Sequence, residues 1–155
     1  MKRKISFVLL IIISCFTLCS CSSEEEETTL SAEAKYEKAI KLYEDAAFDE
    51  AKELFSGMDY KDSSEYVTNC ITMKQLQGTW YDEDEFAWRL EITGFAAIHT
   101  GFSRDYLIKP EGSMVKFSGK LTNGEDDIFT CKLSYSNSEY TLSATRSNTV
   151  YIKGQ

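Results

Sequence analysis

Residues 129–144, Phe129-Thr130-Cys131-Lys132-Leu133-Ser134-Tyr135-Ser136-Asn137-Ser138-Glu139-Tyr140-Thr141-Leu142-Ser143-Ala144, decide the fold. Phe129, Cys131, Leu133 and Tyr135 alternate with polar neighbours. Ser136-Asn137-Ser138 interrupts, and Tyr140, Leu142 and Ala144 resume the alternation. A period of two places every second side chain on one face of a strand, and the polar interruption has turn chemistry. The segment therefore reads as two neighbouring antiparallel strands, each with one buried face. The pattern extends outward on both sides. Upstream, Phe86, Trp88, Leu90 and Ile92 alternate with Ala87, Arg89, Glu91 and Thr93; downstream, Val150 with Ile152 makes a last short strand. Turn residues at Thr93-Gly94, Lys109-Pro110-Glu111-Gly112, Asn123-Gly124 and Arg146-Ser147-Asn148 divide the remainder. Short strands at this spacing over residues 78–155 predict an antiparallel meander that forms a small barrel or a curled sheet.

Upstream of Gly78 the period changes. Tyr36, Ala39, Ile40, Tyr43 and Ala47 recur every three or four residues after Ser31, an N-cap residue type. Asp49 is the expected N-cap of a second helix carrying Ala51, Leu54 and Phe55, closed by a left-handed Gly57. Asp62-Ser63-Ser64-Glu65 reads as a capping box opening a third helix with Tyr66, Val67, Cys70, Ile71 and Met73 on its apolar positions. The fold class expected is α+β: a helical hairpin plus a third helix over residues 31–77, then the β domain over 78–155.

Two resemblances rest on these residues. Tyr36-Glu37-Lys38-Ala39…Leu42-Tyr43…Phe48-Asp49-Glu50-Ala51…Leu54-Phe55 resembles one tetratricopeptide-type helical hairpin. It implies close helix approach at Ala39 and Ala51, although the usual closing Pro is absent. Asp59-Tyr60-Lys61-Asp62-Ser63 stands in its place, similar to a variant hairpin of Gram-positive extracellular proteins. Leu76-Gln77-Gly78-Thr79-Trp80-Tyr81 resembles the Gly-x-Trp start of lipocalin-like domains, in a segment shorter than a full lipocalin. That resemblance implies a Trp plugging one barrel end and a ligand cavity. Trp80 and Trp88 are the candidate ligand contacts; alternatively, with Phe95, Phe117 and Phe129, they fill a shallow barrel as core.

The chain begins with Lys2, Arg3 and Lys4, followed by an apolar run from Ile5 to Leu18. This has the form of a secretory signal peptide and is shorter than the ~20 residues a spanning helix needs. Leu18-Cys19-Ser20-Cys21 resembles the lipobox of bacterial lipoproteins, which implies cleavage after residue 20 and a diacylglyceryl group on Cys21. Two or more acyl chains anchor stably where one does not. The signal peptide would occupy 1–20, and the lipidated Cys with an acidic tether, Glu24-Glu25-Glu26-Glu27, would occupy 21–30. The expected location is the extracytoplasmic face of the membrane.

The 155 residues carry 17 Lys and Arg against 25 Asp and Glu, a formal charge of −8, which becomes −11 once the three basic residues of the leader are removed. Such a surface repels phosphate backbones and argues against nucleic acid. The chain holds a single histidine, His99, read as a surface or barrel-edge residue. Cys70, Cys131 and His99 fall short of a zinc site on their own, and Asp82-Glu83-Asp84-Glu85 and Glu125-Asp126-Asp127 do not follow an EF-hand pattern. No nucleophile elbow, phosphate loop or HExxH segment is present, so no catalytic residue, metal or cofactor is nominated. Cys70 and Cys131 sit at apolar positions and read as free buried thiols rather than as a disulfide. Function is expected to be non-enzymatic: a membrane-anchored binding or interaction module of unknown partner, the helical segment being one surface available to a protein partner. The alternatives are a carrier of a small apolar ligand in the β domain and, more distantly, an extracellular hydrolase.

Overall fold

The computed structural model describes residues 31–85 and 87–154. The leader, Cys21 and the acidic tether lie outside the described residues. Three helices, α1 (Ala32–Glu44), α2 (Phe48–Ser56) and α3 (Ser63–Leu76), precede eight strands. The strands are β1 (Gly78–Asp82), β2 (Arg89–Thr93), β3 (Ala96–His99), β4 (Arg104–Glu111), β5 (Met114–Lys120), β6 (Asp126–Ser136), β7 (Glu139–Ala144) and β8 (Val150–Lys153). Each strand pairs antiparallel with the next, and β8 returns to β1, closing the barrel in sequence order. The α+β class and the meander are those read from the alternation, and closure leaves no open sheet edge. The barrel is compatible with a lipocalin-like architecture.

The helices pack through small residues. Ser31 caps α1, its hydroxyl accepting from the Ala34 amide at 3.2 Å. Ala39 of α1 and Ala51 of α2 are both wholly buried. Phe55 stacks on Tyr66 of α3 at 4.8 Å between ring centroids. The expected second-helix cap is displaced: α2 starts at Phe48, with Ala47 at its N-cap. Starting there buries the Phe48 ring against Tyr43 and Phe95, and leaves Asp49 in the first turn, where a negative charge suits the helix dipole. Gly57 has φ −88, so no left-handed cap forms. Asp62 stands at the N-cap of α3 without a side-chain capping bond, because its carboxylate accepts from the Tyr36 hydroxyl instead. On α3, Cys70, Met73 and Leu76 are buried while Ile71 faces outward.

The C-terminus of α3 is docked on one end of the barrel by barrel side chains. The last carbonyls of a helix lack intrahelical donors. Here the Trp80 indole N–H donates to Leu76 O at 2.7 Å, the Lys153 ammonium to Gln75 O, and the Gln77 amide to Met73 O at 2.8 Å. Gln77 also bridges to the β2–β3 turn, accepting from the Gly94 amide at 2.7 Å and donating to Gly94 O at 3.2 Å. Phe95 in that turn packs edge-on to Tyr43 and Phe48, so one continuous apolar core runs from the helices into the barrel.

Four details of the strands differ from the pattern reading. β2 begins at Arg89, later than the alternation suggests; the Asp82 carboxylate accepts from the amides of Asp84 and Glu85 and holds residues 82–85 in a turn. Pro110 lies inside β4, buried and opposite Val115. The β3 pairing stops at Leu107, so no ladder bond is lost where its N–H is missing. In β8 the buried residue is Tyr151, between Val150 and Ile152, since Asp82↔Tyr151 and Trp80↔Lys153 set the register against the inward residues of β1. His99 lies on the inner face of β3, buried rather than on the surface.

Candidate functional site

Inward alternation fills the barrel in layers. The filling includes Trp80, Leu90, Ile92, Val115 and Cys131, all buried, with Leu90 directly opposite His99 and Cys131 opposite Ala144. In the middle, Phe117 and Phe129 stack with centroids 4.8 Å apart and planes 3° from parallel, and Tyr106 meets Phe129 edge-on at 5.1 Å. At the far end the same inward positions turn polar. His99 ends β3, Arg104 opens β4, Asp127 lies at the start of β6 and Tyr151 in β8. Together with Phe102, Phe129 and Arg146 they line a cavity of about 220 Å³ that opens at the barrel mouth.

Two hydrogen-bonded groups organise this mouth. His99 Nε2 lies 3.2 Å from the Tyr151 hydroxyl. The Arg104 guanidinium donates to Asp127 Oδ2 at 3.1 Å, and the Tyr106 hydroxyl donates to the same oxygen at 2.7 Å. Arg104 also lies over the Phe102 ring at 4.9 Å. Burial holds the His99 imidazole below its ordinary range, keeping it neutral at physiological pH. Burial, reinforced by the bond to Asp127, pushes the Tyr106 phenol up to about 12. Burial, then the Asp82 charge, raises Tyr151 as well.

Two buried polar atoms of this group have no partner among the described residues: His99 Nδ1, on a side chain only 3% exposed, and Arg104 Nε. Such atoms cost free energy when left unpaired. Both belong to residues lining the same cavity. Chemically, the mouth offers aromatic walls, a neutral imidazole, a half-buried ion pair and the Arg146 guanidinium at the rim. Apolar walls with a few converging polar groups are the usual composition of a small-molecule pocket.

Of the two Trp residues nominated for ligand contact, Trp80 lies at the helix end, fully buried and bonded to Leu76 O, away from the mouth cavity. Trp88 is half-buried at the mouth, 5.1 Å from the Phe102 ring and 6.2 Å from His99, behind the cavity lining. Cys21 lies outside the described residues. Cys70 and Cys131 are free and buried, as their apolar positions implied; burial pushes the thiols up to about 11 and about 12 respectively. Among the described residues no cluster of three His, Cys, Asp or Glu side chains is placed to hold a metal ion, and no helix is long and apolar enough to cross a membrane.

Arg104, Tyr106 and Tyr151 were not singled out in the sequence, where Asp127 figured only in an acidic run set aside as a metal site and Arg146 only as a turn residue. The signal that finds most of them is polarity at an inward position: Asp127 continues the Phe129–Cys131 series, and Tyr106 shares the parity of Ile108. A charged or hydroxylated residue on the buried face of a strand end marks a barrel mouth. Compared with protein-family models, curated proteins and solved structures, the chain has no match.

Proposed function

We propose that the chain is a lipid-anchored extracytoplasmic protein whose barrel binds a small ligand at its open mouth, without turning it over. The observation that carries the binding site is the 220 Å³ cavity bordered by a buried imidazole and a guanidinium that each leave a nitrogen unpaired. A cavity of ~150 Å³ already accommodates benzene, so a ligand of about one ring fits here. Its walls favour an amphipathic molecule rather than a purely apolar one: an unsaturated or aromatic body against Phe102 and Phe129, and polar substituents toward His99 and the Arg104–Asp127 pair. The anchor is supported by the lipobox-like Leu18-Cys19-Ser20-Cys21, with the acidic tether holding the folded part off the membrane.

Because the chain has one histidine, selective labelling of His99 gives a single imidazole reporter inside the proposed site. A panel of small aromatic acids, amines and alcohols titrated into labelled protein is expected to include members that shift the imidazole signals saturably. Binders that move other residues while the imidazole stays still would refute the assignment.

A second reading, a protein partner, is favoured by an apolar stripe. It lies on the barrel: Ala96, Leu107 and Ile128, interrupted by Ser118, stand in one register row across the outer faces of β3 to β6, with Leu107 70% exposed. Leu107→Lys, with unchanged folding, is expected to abolish any such association measured by sedimentation; association that survives the change would locate it elsewhere.

A further inference from the structure

A second cleft, of about 350 Å³, lies where the helices meet the barrel wall. Tyr43 of α1, Tyr66 and Asn69 of α3, and Phe95 of the β2–β3 turn line it, with Asp62 and Glu65 on its helical side. We propose that this cleft is a binding site for a small organic cation bearing N–H donors, such as a protonated primary alkylamine. It is separate from the barrel mouth and does not depend on the function proposed there.

Three features point to that chemistry. Tyr43 stands edge-on to both Tyr66 and Phe95, each at 5.1 Å between centroids, so three π-systems converge on the cleft. Aromatic faces attract cations, and the attraction grows when water is excluded. The chain already uses its tyrosines this way nearby: the Lys61 ammonium sits 4.8 Å from the Tyr36 ring centroid and 4.9 Å from that of Tyr60.

Negative charge is concentrated on the helical side. Burial raises the Tyr66 phenol first, and then Asp62, Glu65 and Glu44 raise it further, which records the negative field at the rings. One Asp62 oxygen accepts from Tyr36; the other, and both Glu65 oxygens, accept no hydrogen bond among the described residues. The opposing charge is Lys109 of β4, which is exposed and lines the barrel side.

Asn69 supplies the third feature and narrows the class. It is 8% exposed, and its Oδ1 has no donor among the described residues. A buried amide oxygen without a donor is costly, and an ammonium N–H satisfies it with a charge-assisted bond. A quaternary ammonium has the charge but no N–H, and an alcohol has the donor but no charge.

The test is amide-resolved NMR of the full chain, titrated at fixed ionic strength with n-butylammonium, tetramethylammonium and n-butanol. Saturable butylammonium shifts are expected at the Asn69 side-chain amide and Phe95. Tetramethylammonium and butanol should bind at least about tenfold more weakly, or about 1.4 kcal/mol. Glu65→Gln, an exposed change, should weaken butylammonium several-fold while leaving the His99 imidazole signals in place. Nα-acetyl-lysine amide run alongside assigns the source: tighter binding than butylammonium indicates a protein lysine, weaker binding a free amine, and either supports the site. Equal binding of the three small probes, shifts spread evenly over acidic segments such as Glu83–Glu85, or no saturable shift at Asn69 would overturn the proposal.

Discussion

Replacing Trp80 with phenylalanine tests how the helices and barrel are joined. Trp80 is fully buried and its indole N–H is the donor to Leu76 O at 2.7 Å. Leu76 is the last residue of α3, so its carbonyl has no intrahelical donor. Phenylalanine keeps an aromatic ring but leaves that buried carbonyl unpaired, at a cost of about 1–3 kcal/mol. The smaller ring also leaves a void; at roughly 24 cal/mol per Å³, a void of ~40 Å³ adds about 1 kcal/mol. The sum is about 2–4 kcal/mol, or about 8–16 °C in Tm for a domain of this size. Trp88→Phe is the matched control. Trp88 is half-buried, and its indole makes no hydrogen bond among the described residues, so its loss should cost under about 1.5 kcal/mol. The assay is urea unfolding followed both by far-UV circular dichroism, dominated by the helices, and by fluorescence of the one barrel Trp that each variant retains. Because the core is continuous from Ala39 to Leu142, both signals should move together to a lower midpoint in Trp80→Phe. Equal costs for the two variants, or helices and barrel unfolding at separate midpoints, would refute the strut role of Trp80.

Other expectations follow from the mouth and the barrel wall. Folding holds the His99 pKa below its ordinary 6.5, so below that pH the unfolded chain takes up a proton that the native imidazole refuses. Stability is therefore full above pH 6.5 and falls as the pH drops through and below it; urea midpoints should show this slope reduced in His99→Gln, and an unchanged slope would count against a buried neutral imidazole. The Cys131 thiol is raised from 9.0 to about 12, so the native state resists its ionisation. Its contribution should be complete below pH 9 and decline from there toward pH 12, and Cys131→Val should flatten that decline. At pH 8, iodoacetamide followed by peptide mapping should label Cys70 and Cys131 only after denaturation; native labelling of either would contradict their burial. Gly119→Ala places a Cβ 2.6 Å from Asp105 O and 2.7 Å from the Tyr106 ring. Because a backbone atom cannot swing away, about 1–3 kcal/mol should be lost in denaturant titration, and a neutral effect would show that the β4–β5 contact is looser than described.

The barrel was legible because period-two alternation survives in β6 and β7, where one face is apolar and the turn between them is polar. The alternation left a closed barrel and a curled sheet both open, since whether β8 returns to β1 depends on a long-range register that no local pattern carries. Phe86 and Trp88 share the parity of Leu90, which extends the apparent strand upstream, whereas β2 begins at Arg89, after the turn held by the Asp82 carboxylate. Helix positions followed from the three- and four-residue spacing, but their caps did not. Asp62 bonds Tyr36 across the hairpin, and Phe48 is drawn into the first turn of α2 by burial. The candidate site was the least legible part. Trp80 and Trp88 attract notice as the largest side chains, yet the mouth is made by His99, Arg104, Asp127 and Tyr151, from four different strands. Their convergence requires the closed barrel.

Whether the barrel mouth holds a ligand can be read by native mass spectrometry of the protein from its parent cells. The comparison is with Ala144→Phe, which places a ring in the mouth cavity that Ala144 lines. A covalent lipid on Cys21 would add mass that persists under denaturing conditions, whereas a bound ligand would not. A ligand held in the mouth gives the natural chain a reproducible mass excess that disappears on denaturation and is absent from Ala144→Phe. No non-covalent excess, or the same excess retained in Ala144→Phe, would contradict the proposed binding.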